Sequence, residues 1–363
     1  MKTLLYKSTL WALLLVPFLL CAHTDNQGGK YTKEKTIKRE FNVNSDALFK
    51  VSNSYGNLNI TSWNENRVVI EVHIKTNGND EERVEERLNE IDVDFENSAS
   101  MVSARTLFGE NGKSWGWNWG KRRNVSVQVN YTIKLPVKNS VNLNNDYGNI
   151  YLDRIDGHAK INCDYGKIDV GELRGRNNEL KFDYTSRSTF DYINSGEIIA
   201  DYSGFTIEKA GNLRVKADYT NATINKMEDL EYSSDYGSLE VDEVNNVNGN
   251  GDYIGVKLGT VHGNVSITSD YGSIKISEMA PDAGNVNIKT DYTGIRIGYS
   301  AQYYFDFEIS TEYAGVSGKD AFEINISKEK SNEKYYKGYY GKQNSGNTVT
   351  IISDYGGITF NQN

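Results

Sequence analysis

Only two cysteines, three prolines and four histidines occur in the 363 residues. Cys21 falls in the N-terminal apolar stretch, so a mature chain would keep Cys163 alone, and an intramolecular disulfide framework is excluded. The histidines are scattered, and no Cys/His cluster has the spacing of a zinc site. No Gly-x-Ser-x-Gly elbow and no phosphate-cradling loop is present. Basic charge is also in deficit: 40 Lys and Arg against 49 Asp and Glu leave a net charge of −9, which argues against nucleic acid as a partner. Hydrophobic residues make up only 38%, which excludes a membrane bundle, whereas 33 glycines and 25 tyrosines point to a turn-rich, all-β chain.

The one long apolar run is Leu10 to Leu20, preceded by Lys2 and Lys7 and followed by polar residues from His23. It is too short to span a bilayer comfortably and reads as a secretory signal peptide over residues 1–24. Cys21 raises the alternative of a lipid-modified cysteine that would tether the chain to a membrane, although Leu20 before it is a poor match to such sites. The expected location is therefore exported: periplasm, outer-membrane surface or outside the cell.

One tripeptide recurs along the rest of the chain. Asp146-Tyr147-Gly148 and Asp164-Tyr165-Gly166 are followed by copies centred on Tyr184, Tyr202, Tyr219, Tyr236, Tyr253, Tyr271, Tyr292, Tyr313 and Tyr355, with one early copy at Ser54-Tyr55-Gly56. From Tyr147 to Tyr313 the steps are 18, 19, 18, 17, 17, 17, 18, 21 and 21 residues, and the last step is 42, two periods or one period plus an insertion. Positions six and four before the tyrosine are apolar, as at Leu213/Val215 and Val286/Ile288, and positions three and five after it are apolar again, as at Ile274/Ile276. The residue two before is mostly small, as at Cys163, Ala200 and Ser269. Each period is thus two alternating strands with a change of parity at the Tyr-Gly step, where glycine permits positive φ. A further column eight after the tyrosine, including Ile155, Leu173 and Val244, turns a third side inward.

The fold this predicts is a single-stack parallel β-solenoid, or β-helix, with coils of about 17–21 residues, in which like positions form ladders. A succession of antiparallel hairpins is the competing arrangement. Residues 25–135 read as an N-terminal cap, with strands, a short helix at 79–90 opened by an Asn79/Glu82 pair, and a Trp-rich loop at 111–123. Residues 136–363 form the repeats, and the Lys- and Tyr-rich segment 327–346 reads as a solvated loop inserted among them.

A signal peptide, an acidic helix, a strand ending Ile133-Lys134-Leu135-Pro136 and then repeated short strands with Gly at the bends resemble a bacterial family of exported β-strand-repeat proteins described as putative adhesins, common in Bacteroidota. The resemblance implies the fold and an envelope location. It transfers no site residues.

Four features carry candidate chemistry. The acidic column, Asp218, Asp235, Asp252 and Asp270 among its members, stacks like charges and needs either backbone N–H partners at the bend or a bound cation such as Ca²⁺. The tyrosine column has inward parity and small neighbours, so an internal aromatic ladder is expected, with exposed tyrosines sought instead at Tyr335, Tyr336, Tyr339 and Tyr340. Lys257, Lys275 and Arg296 follow Glu240 on consecutive periods with outward parity, a candidate strip for an anion or acidic polysaccharide. Trp115, Trp117 and Trp119 alternate beside Lys121-Arg122-Arg123, a candidate contact for sugar, lipid or a partner, or a cover for the core end. Cys163 reads as a small buried thiol. No cofactor other than a possible Ca²⁺ is called for. The functional expectation is a non-enzymatic envelope recognition surface or scaffold whose partner is a polysaccharide or an envelope protein; the alternatives are a polysaccharide lyase or hydrolase, with Glu240 beside Lys257, and a pure assembly scaffold.

Overall fold

The computed structural model describes residues 29–109 and 124–363. The signal segment with Cys21 and the loop bearing Trp115, Trp117 and Trp119 lie outside the described residues. The described chain is all-β apart from one short helix, and its 27 strands belong to one mixed, mostly parallel sheet.

Each repeat supplies one strand before and one after its tyrosine. Ala159–Asp164 pairs parallel with Ser140–Asp146 on one side and Asn178–Asp183 on the other, setting Asp164 against Asp146 and Asp183. Ile168–Leu173 pairs parallel with Ile150–Ile155 in the same register. This registration by whole periods excludes the hairpin arrangement, which would pair the two strands of one repeat with each other. Apolar columns from both strands and from the third side meet in one continuous core: Ile161, Ile168 and Ile155 are all fully buried. Cys163 lies among them, as expected.

Both ends depart from simple repetition. Leu48–Ser54 and Leu58–Trp63 flank Tyr55 and pair parallel with Ser140–Asp146 and Ile150–Ile155, so a repeat sits inside the stretch expected to be cap only. Beyond it, Arg67–Gly78 runs antiparallel to both Tyr31–Asn42 and Val125–Pro136, which flank it, and Ile91–Ser98 runs antiparallel to Met101–Phe108. The helix runs Glu81–Asn89, and its N-cap is Asp80, whose side chain accepts from the Arg83 N–H at 3.3 Å; the Asn79/Glu82 pair expected from sequence does not cap it.

At the other end, Thr348–Asp354 pairs parallel with both Val286–Asp291 and Phe305–Glu312. The C-terminal strands therefore enter between two repeats that precede them in sequence. The segment expected as a solvated loop at 327–346 instead forms most of a hairpin, Glu323–Glu329 with Glu333–Tyr340, and the second strand runs antiparallel to Phe305–Glu312. Its alternation buries Tyr336, Gly338 and Tyr340 while Lys337 stays exposed. Lysines between the tyrosines mask that period-two pattern.

Candidate recognition surfaces

The tyrosine column is exposed, which overturns the expected internal ladder. Twelve tyrosines, Tyr55 and the eleven from Tyr147 to Tyr355, take positive φ of 49–64°. It is the tyrosine and not the following glycine that makes the left-handed step. Glycine serves there for close approach: a Cβ on Gly166 would lie 2.0 Å from the Gly148 carbonyl oxygen. Where the bend carries Thr or Ser instead, the hydroxyl is buried and bonded, as at Thr220, whose Oγ1 donates to the Ala200 carbonyl at 2.9 Å.

A left-handed bend swings the side chain off the inward face that strand parity predicts. The rings then lie parallel along the stack, with centroids 4.6–5.4 Å apart and planes within 10°. Stacking covers the ring faces, so what meets solvent is ring edges and phenol hydroxyls. From Tyr147 onward each ring residue stays 45–56% exposed. The phenols of Tyr165, Tyr236, Tyr271 and Tyr355 sit above their ordinary pKa, first from desolvation by their neighbours and then from adjacent tyrosine and aspartate charge.

The aspartates beside them form a second ladder. Oδ1 of Asp218 accepts the N–H of Asp235 at 2.9 Å, Asp235 that of Asp252 at 2.8 Å, and Asp252 that of Asp270 at 3.1 Å. These charge-assisted bonds offset the repulsion between stacked carboxylates. Among the described residues, no group of three or more His, Cys, Asp and Glu side chains is placed to hold a metal ion.

Register places Glu240, Lys257, Lys275 and Arg296 in one column across adjacent strands. Lys257 is ion-paired with Glu240, whose hydrogen bond and charge raise the lysine pKa. Lys275 and Arg296 are exposed and make no ion pair with a described residue. The tyrosines sought as exposed are not: Tyr336 and Tyr340 are buried, and Tyr335 and Tyr339 are half-buried. Two of the described histidines are held by surface carboxylates, His73 by Glu34 at 3.3 Å and His262 by Asp282 at 3.0 Å.

Sequence reasoning missed one column, seven residues before the tyrosine, with Asn212, Asp229, Asn246, Asn264 and Asn285. Asparagine recurring once per period was its signal. Oδ1 of Asn246 accepts the Asn264 N–H and Oδ1 of Asn264 accepts the Asn285 N–H, both at 2.8 Å, so these amides form a third ladder. No described helix is long and apolar enough to cross a membrane.

No protein-family model matches the chain, and no curated protein does. Among solved structures, it is similar to a putative cell adhesion protein from Clostridium sporogenes, at 14% identity and TM-score 0.18 over 91% of this chain and all of that one. It is also similar to a putative adhesin from Bacteroides fragilis, at 10% identity and TM-score 0.24 over 91% and 97% of the two chains. A third is described as a putative lipid binding protein from Parabacteroides distasonis, at 10% identity and TM-score 0.29 over 92% and 98%. The adhesin names agree with the resemblance read from sequence, and at these scores the function has to be argued from the chain's own surfaces.

Proposed function

We propose that this chain is an exported, non-enzymatic, adhesin-like recognition module of the cell envelope, its repeats stacked singly as a β-solenoid. The tyrosine ladder carries the reading. A left-handed conformation costs a non-glycine residue about 1–3 kcal/mol, and glycine or asparagine would occupy each bend at less cost. Twelve tyrosines accept that conformation, and the eleven from Tyr147 onward leave their edges and hydroxyls exposed in a row beside carboxylates, which supports a surface kept for contact. Identical groups one strand spacing apart suit a repeating partner, because weak contacts add through effective concentration. The signal-like segment 1–24 supports export.

Binding of the purified chain from residue 25 onward to a panel of acidic and neutral polysaccharides and isolated envelope proteins tests this, with polymer length checked afterwards. Binding without shortening is the expected result. Shortening of the polymer would transfer the assignment to a lyase or hydrolase. Replacing Lys257, Lys275 and Arg296 together by Ser reports whether the basic strip takes part, and replacing Tyr219, Tyr236 and Tyr253 by Asn, which tolerates positive φ, reports on the ladder.

A further inference from the structure

A groove of about 990 Å³ lies away from both the tyrosine ladder and the basic strip, along the strands that precede the tyrosines. It crosses six adjacent repeats, from Asn177 to Asn264, and so runs in the stacking direction. Its floor is the in-register column Glu197, Arg214, Glu231, Asn248 and Ser266. Its wall is the asparagine ladder. A smaller hollow of about 330 Å³ shares Arg214, Glu231, Asn248 and Ser266 and widens the floor toward Ser233 and Asn250.

We infer that this groove binds an uncharged, linear, β-linked polysaccharide lying along the stack. This rests on the recognition reading and adds to its tyrosine ladder a second surface with its own ligand class. Four carboxylates line the groove against the single guanidinium of Arg214, with Lys216 in the adjoining hollow, and this net negative lining disfavours an acidic polymer. Leu213, Leu230 and Val247 of its lining are buried in the core, so it presents no exposed aromatic or long apolar anchor of the kind protein partners use. What it has is amides, hydroxyls and carboxylates, which pair with sugar hydroxyls as donors and acceptors.

The wall is set before ligand arrives. Asn246 Nδ2 donates to Asp229 Oδ1 at 2.7 Å while its Oδ1 accepts the Asn264 backbone N–H, so the Asn246 amide is held at both ends and little entropy is lost on binding. On the floor, Arg214 and Glu231 are ion-paired at 2.9 Å, and the side chains of Asn248 and Ser266 make no hydrogen bond to a described residue. Adjacent strands stand about 4.8 Å apart, close to the length of one extended β-linked hexose unit, so successive sugars meet successive repeats.

The test is calorimetric titration with neutral β-1,4-mannan, β-1,4-glucan and β-1,3-glucan oligosaccharides of increasing length, alongside polygalacturonate and alginate. A neutral series should bind, tighten with length until the six repeats are spanned, and weaken about tenfold in N248K/S266K, the loss of one or two hydrogen bonds. The K257S/K275S/R296S variant should bind it unchanged. Both groove substitutions lie on the outer strand face, and an unchanged melting temperature confirms folding; N212K serves as a second block if they fail that check. Neutral binding that survives the groove variants overturns the assignment. Binding of acidic polymer or envelope protein with no neutral binding also overturns it while leaving the recognition reading intact; no binding to any partner removes both.

Discussion

Tyr355 stacks on Tyr292, ring centroids 4.6 Å apart and planes within 4°, although Tyr313 is nearer in sequence and lies one ring further out. The final repeat is thus an internal rung. Ile351, fully buried, is set between Ile288 and Ile309 on its two flanking strands. On a frayed terminal rung, truncation would matter little. Here Ile351→Ala is expected to lower stability by about 2–5 kcal/mol, the range for opening a cavity in a closed core, read from the urea midpoint.

The same core contains a matched pair. Tyr232 and Gly249 are in register, and a Cβ on Gly249 would lie 1.9 Å from the tyrosine ring. Gly249→Val should destabilise by about 1–3 kcal/mol through overpacking. Adding Tyr232→Ile should recover most of it, a non-additivity that a double-mutant cycle measures.

Ring and backbone can be separated at Tyr236, which has φ 55° and stacks on Tyr219 and Tyr253. Tyr236→Ala loses the stacking and keeps the strain; Tyr236→Gly loses the stacking and relieves it. The glycine variant should be the more stable of the two by about 1 kcal/mol, despite the greater freedom of its unfolded chain. Equal stabilities would remove the strain argument on which the proposed function rests.

Alkaline pH should weaken the fold. The phenol pKa values of Tyr165, Tyr236, Tyr271 and Tyr355 are raised in the folded state, so the contribution of these four is fully present below the unfolded value of about 10 and is lost as pH rises through the folded values. The melting temperature should fall above pH of about 10, together with a late rise in tyrosinate absorbance.

Calcium offers a contrast. Because each aspartate Oδ1 from Asp183 to Asp270 already accepts the next aspartate N–H, the melting temperature should be the same in calcium and in chelator. A rise in calcium would mean that cations sit between the carboxylates, since a ligand bound only to the native state must stabilise it. Cys163 gives a simpler readout: desolvation first, then nearby aspartate charge, pushes its thiol up to about 12, so a thiol reagent should react only after unfolding.

Composition, period and alternation by themselves determined the β class, the repeat and the inward columns, because burial of alternate residues is a local rule applied once per period; the strand pairing decided parallel coils over hairpins. The asparagine column was visible there too, though its role was not. Only the tertiary structure decided where the tyrosines point. Parity counts residues along a strand and assumes right-handed geometry, and the left-handed φ at each bend breaks that count at the one position that matters most. It also decided the order of the end repeats: Tyr55 meets Tyr147, and Tyr355 separates Tyr292 from Tyr313. Any repeat's apolar face fits any neighbour's, so pairing order is set by where the connecting segments can reach and how the open ends are closed, which no local pattern records.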